Sequence, residues 1–112
     1  MKLVRSLFKG GHQYWFYCPG CKHAHCYTVG CEGVHANWSF DPNGPSFRPS
    51  LRIYTSDPET GRGDVTRCHL HVTAGKIEFC NDCPHELSGQ TVNLPDFPDA
   101  YGLPEPNEII LR

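Results

Sequence analysis

The chain has 112 residues, including 7 Cys and 7 His, and a formal net charge of −2. That charge argues against a general polyanion binder. No stretch approaches the roughly 18 apolar residues of a membrane helix, and the run Met1 to Lys9 is too short and too charged for a signal peptide.

Leu, Ile, Val and Phe make up about 21% of the residues, just above the roughly 20% below which chains tend to disorder. One small domain is expected, with a thin core, many turns and some source of stability besides apolar burial. The default compartment is a reducing cytoplasm, where disulfides are rare. Seven cysteines therefore point to metal ligation or reactive thiols.

Lys2, Arg5, Lys9 and Lys22 stand in a first stretch without acids, which reads as a solvated edge strand guarded by lysines. Gly10-Gly11 introduces His12 to Tyr17, an aromatic run of strand character. Cys18-Pro19-Gly20-Cys21 turns the chain, and His25 to Val29 returns it as a second strand. Trp38-Ser39-Phe40 is a short strand or core anchor, followed by the turn cluster Asp41 to Pro45.

Leu51 to Thr55 alternates like a half-buried strand. The clearest hairpin runs Thr66 to Thr73 and Lys76 to Asp82 around the two-residue turn Ala74-Gly75. Its register sets Val72 against Ile77, Leu70 against Phe79 and Cys68 against Asn81 on one face. His71 faces Glu78 and His69 faces Cys80 on the other. Pro84 to Gly89 is at most one helical turn, and Gln90 to Leu94 a last strand. A single domain over 1–94 and a Pro-rich acidic tail over 95–112 follow.

Two CxxC pairs, Cys18/Cys21 and Cys80/Cys83, suit tetrahedral zinc, because each tight turn can offer two thiolates. Spacing favours these four as ligands, with Cys68 and His85 as alternates near the open end of the second hairpin. Cys26 and Cys31 read as spare thiols. If the protein is an enzyme, His69, Asp82 and His85 are the candidate acid–base groups, or Cys83 a thiolate activated by a nearby His. A redox dithiol at Cys18/Cys21 lacks the following helix that such motifs use. Aromatics 14–17 among Lys2, Arg5, Lys9 and Lys22 suit stacking on single strands, but half of them are needed for the core and the net charge is negative.

An ordered series of pieces carries a resemblance: Cys18-Pro19-Gly20-Cys21 with His25, Trp38-Ser39-Phe40, Pro45 to Leu51, Cys68-His69, Gly75 to Phe79, and Asp82 to Val92 with Leu94-Pro95. The series resembles a family of small phage and prophage zinc-binding-type proteins of unknown function, often mislabelled ammonia monooxygenase. That resemblance implies a phage protein in the bacterial cytoplasm. It also implies relatives beside ubiquitin-like conjugation genes, with peptidase or regulatory roles. It favours Cys68, His69 and His85 as site residues, where spacing favours Cys80 and Cys83.

The expected fold is mostly β: a small antiparallel domain of two hairpins stapled by a zinc knuckle, with little helix. The expected function is a phage-encoded zinc-binding accessory protein that contacts a host protein and interferes with defence or conjugation, with no membrane and no nucleic acid. A zinc- or thiol-dependent, peptidase-like hydrolase using His69, Asp82, His85 or Cys83 is the alternative. A single-strand nucleic-acid-binding zinc module is the third reading.

Overall fold

A computed structural model describes residues 2–98 and the strand 107–111. Its strands are β1 (Leu3–Phe8), β2 (Gly11–Cys18), β3 (His23–Val29), β4 (Ser39–Asp41), β5 (Ser46–Arg48), β6 (Leu51–Ser56), β7 (Asp64–Thr73), β8 (Lys76–Phe79), β9 (Thr91–Asn93) and β10 (Asn107–Leu111). They form antiparallel sheets in the orders β10-β1-β2-β3, β4-β5 and β6-β7-β8-β9. No helix occurs among the described residues, so none is long and apolar enough to cross a membrane. The expected mostly-β antiparallel class is what the chain adopts.

Alternation explains which faces are buried. In β2, Tyr14, Phe16 and Cys18 are buried while Gln13, Trp15 and Tyr17 are half-buried. In β7, Cys68, Leu70 and Val72 face inward, joined by Ile77 and Phe79 of β8. Phe47 of β5 stacks on Tyr27 of β3 at 4.1 Å and lies 5.5 Å from Tyr14. These aromatic contacts join a core whose aliphatic members are Leu3, Leu51, Leu70, Val72, Ile77 and Leu94.

The second hairpin has the register read from the sequence: Leu70 pairs with Phe79, His71 with Glu78, Val72 with Ile77 and Thr73 with Lys76. Ala74 and Gly75 both have positive φ, as a type I′ turn requires. The ladder stops at Phe79, short of the expected Cys68–Asn81 pair; on its other edge β7 pairs with β6, where Cys68 meets Ile53. β1 is not an edge, because β10 pairs along it. That strand lies within the stretch expected to be a tail, of which residues 99–106 fall outside the described residues.

Candidate active site and metal centre

Two polar clusters lie on opposite faces of β7, and neighbours in the chain feed them. Cys68 points into the core and His69 points away from it.

The inner cluster starts at the first knuckle. Lys22 N–H donates to Cys18 O at 2.7 Å and Cys21 N–H reaches Cys18 Sγ at 3.4 Å, which folds both sulfurs toward one point. Ligand atoms of Cys18, Cys21, Cys68 and His85 all lie within 4.8 Å of one another. Cys18 Sγ is 3.9 Å from Cys68 Sγ, and Cys68 Sγ is 3.6 Å from His85 Nε2. Tetrahedral zinc, with Zn–S of about 2.3 Å and Zn–N of about 2.0 Å, sets such edges at about 3.8 and 3.5 Å. Gly20 makes the approach possible, since a Cβ there would clash with the His85 ring. These four residues could therefore hold a metal.

Charge in the cluster is uneven. Hydrogen bonding from the Cys68 thiol, aided by His25, lowers Cys18 to about 3 against the cost of burial. Burial and the Cys18 charge push Cys21 up to about 11, and the bond to Cys18 with burial raises Cys68 further. Crowded thiols resist ionising together, and a bound dication reverses that preference. His25 is buried, and its Nε2 has no hydrogen-bond partner among the described residues.

Cys83 stands against this cluster. Its buried Sγ lies 3.8 Å from Cys68 Sγ and 3.1 Å from His85 Nε2. Leu87 N–H donates to His85 Nδ1 at 3.2 Å. As a candidate nucleophile, Cys83 is shut away from substrate. Cys26 and Cys31 join neither cluster: Cys26 accepts from Gln13, and the Cys31 thiol donates to His12 O.

The outer cluster is a linear relay. His69 Nδ1 lies 2.9 and 3.1 Å from the two carboxylate oxygens of Asp82, and His69 Nε2 lies 3.0 Å from Ser50 Oγ. The His69 and Asp82 side chains are 24% and 55% exposed, open enough for a substrate to reach. Ser50 sits between β5 and β6, where Trp38 Nε1–H donates to its carbonyl at 3.1 Å. Asp82 sits in the turn after β8, where the Ser88 hydroxyl bonds to the carbonyls of Cys80 and Asn81 at 3.2 and 2.9 Å.

The structure thus separates residues that the sequence grouped. Cys80 Sγ gathers with His69 and Asp82, not with Cys18 and Cys21. The reason is local: Cys80 N–H donates to His69 O at 2.9 Å, prolonging the β7–β8 direction on the His69 face before the chain turns in to Cys83. His85 belongs to the inner cluster, so it does not share a site with His69 and Asp82. His71 lies 6.5 Å from His69, opposite Glu78. Ser50, which completes this relay, carries no functional expectation from the sequence, although it lies in the Pro45 to Leu51 piece.

A hydroxyl, an imidazole and a carboxylate in this order form the constellation used by acyl-transferring hydrolases on unrelated folds. The family model described as bacterial ubiquitination-like system serine protease, BubE, matches residues 2–80, and the chain belongs to that family. No curated protein and no solved structure matches the chain.

Membership corrects three expectations. The family is this one, not the phage family of unknown function suggested by the ordered motifs. A protease family also overturns the accessory protein that acts only by contact, and with it the phage label. The nucleic-acid reading falls for the same reason, and Tyr14 and Phe16 are in any case consumed by the core. The hydrolase alternative stands better, but as a family of serine proteases rather than metal- or thiol-dependent ones.

Proposed function

We propose that the protein is a serine acyl hydrolase whose nucleophile is Ser50, general base His69 and orienting carboxylate Asp82. The observation that carries this is the unbroken hydrogen-bonded chain Ser50 Oγ, His69 Nε2, His69 Nδ1, Asp82. The Asp82 carboxylate accepts a hydrogen bond from Nδ1–H, which holds the tautomer whose Nε2 lone pair faces the Ser50 hydroxyl.

Ser50 Oγ attacks the acyl carbon of the substrate as His69 Nε2 takes its proton. The tetrahedral intermediate collapses when His69 returns that proton to the leaving amine or alcohol, leaving an ester on Ser50. Water then attacks the ester by the same relay, and the acid product departs. The family description supports a substrate within a ubiquitination-like system, whose conjugates are acyl derivatives of a protein carboxylate.

In the same reading the inner cluster takes zinc through Cys18, Cys21, Cys68 and His85, a three-sulfur, one-nitrogen set that suits a closed structural site. When bound, zinc supplies a cross-link between the first knuckle, β7 and the turn that follows β8. The donor to the chemistry is then Ser50 and not a metal-bound water.

The test is covalent labelling with a fluorophosphonate, followed by peptide mapping. Modification of Ser50, lost in His69→Ala, is the expected result. Absence of labelling at Ser50 in folded, metal-loaded protein overturns the assignment.

A further inference from the structure

The outer cluster holds one group that hydrolysis does not use. Cys80 Sγ, a His69 nitrogen and an Asp82 oxygen all lie within 4.8 Å of one another. Cys80 makes no contribution to the inner cluster, and its thiol is half-buried beside the relay. Its backbone is fixed there by the bond to His69 O at 2.9 Å and by Cys83 N–H donating to its carbonyl at 3.2 Å.

From this placement we propose a second, inhibitory metal site, in which Cys80, His69 and Asp82 bind a thiophilic dication such as Zn2+ and switch the hydrolase off. The ligand types argue for the class of ion. One sulfur, one imidazole nitrogen and one carboxylate oxygen suit Zn2+, Co2+ or Cd2+ and disfavour Mg2+ and Ca2+, which take oxygen ligands. Three protein ligands leave a fourth position for water. Asp82 is exposed, so an ion can enter from solvent.

Occupancy and catalysis exclude each other whichever ring nitrogen is used. An ion on Nε2 occupies the lone pair that would take the Ser50 proton. An ion on Nδ1 leaves the neutral ring with its proton on Nε2, so the ring donates to Ser50 Oγ instead of accepting from it. The Cys80 proton leaves to solvent on binding, and no redox change is involved.

The inhibition, but not the binding, rests on the hydrolase reading, so the experiment measures both. Protein carrying one equivalent of zinc is titrated with Co2+, which binds thiolates more weakly than zinc and leaves the inner site filled, while thiolate-to-cobalt absorbance is followed. A second equivalent should bind and add roughly one third of the absorbance given by the first equivalent in metal-free protein, one thiolate against three. Cys80→Ala and Cys80→Ser should bind one equivalent only, with the first unchanged. Ser50→Ala should keep both.

In parallel, hydrolysis of p-nitrophenyl acetate by the zinc-loaded protein should stop as added Zn2+ fills the second site. Cys80→Ala should keep its basal rate and need roughly tenfold more Zn2+ or beyond, given that even outer partners of a metal are worth about 10–100-fold. A single equivalent in the wild type, or a second one that persists in both Cys80 variants, overturns the site. Binding that depends on Cys80 without any loss of turnover overturns its inhibitory role. If no hydrolysis is found at all, the enzyme reading fails while the binding titration still decides the site.

Discussion

The two faces of β7 show how adjacent residues take unrelated tasks. Cys68 is fully buried with three sulfurs and an imidazole around it, whereas His69 is part-exposed with a hydroxyl on one side and a carboxylate on the other. Burial suits a cross-link, because a closed site keeps its ion and asks nothing of solvent. Partial exposure suits a working base, which must meet a substrate. Both faces depend on the same two segments, β7 and the turn 80–85, so the inner cluster can hold the outer relay in place without taking part in its chemistry.

The largest effect that would separate the faces comes from the proposed nucleophile. Ser50→Ala should lower turnover by roughly a million-fold, as loss of a triad serine does elsewhere. Metal content and thermal midpoint should stay as in the parent, read by atomic absorption and calorimetry. A Ser50→Ala protein that retained activity would move the chemistry back to the inner cluster.

Metal removal should affect both faces together. A strong chelator should lower the midpoint by about 10 °C or more, since each kcal/mol is worth about 4–8 °C in a domain near this size, and a structural metal is worth several. Activity should disappear with the fold signal rather than before it. Loss of activity with an unchanged midpoint would make the metal catalytic.

The second hairpin was readable to the residue pair because Val72, Leu70, Ile77 and Phe79 alternate on both sides of a two-residue turn. The first knuckle was readable because Pro19 and Gly20 sit between its sulfurs, and Gly20 turned out to clear space for His85. The second CxxC misled, since spacing does not say whether a turn presents both sulfurs to one side. Here the bond to His69 O carries Cys80 outward. Ser50 had no signal of its own. It comes beside His69 only through the antiparallel pairing of β6 with β7, in which Arg52 meets His69, and through Trp38 reaching across from a separate segment.

That Trp38 contact offers a smaller and more local test. Trp38→Phe leaves an aromatic ring where Trp38 meets Tyr27 at 5.3 Å but removes the indole N–H from the Ser50 carbonyl. A neutral hydrogen bond is worth about 1 kcal/mol net, so turnover should fall by roughly fivefold with KM and metal content unchanged. An equal fall in thermal stability and no change in turnover would make Trp38 a packing residue alone.

The finest distinction concerns the fourth corner of the inner cluster, where His85 Nε2 and Cys83 Sγ lie 3.1 Å apart. The atoms of His85, not those of Cys83, lie within 4.8 Å of all three remaining sulfurs. Cys83 instead directs its S–H at Cys68 Sγ, as an outer donor to a ligand would. His85→Ala should therefore weaken zinc severely and unravel the turn that carries Asp82. Cys83→Ser keeps a donor of nearly the same reach, and should cost about tenfold in affinity at most, the lower end of what outer partners contribute. The Leu87 N–H on His85 Nδ1 opposes this ranking, because Nε2 can ligate only in the tautomer that gives up that bond. If Cys83→Ser proves the more damaging of the two in a competitive zinc titration, the fourth ligand is sulfur. His85 then acts as a donor to the thiolates, its Nδ1 still capped by Leu87.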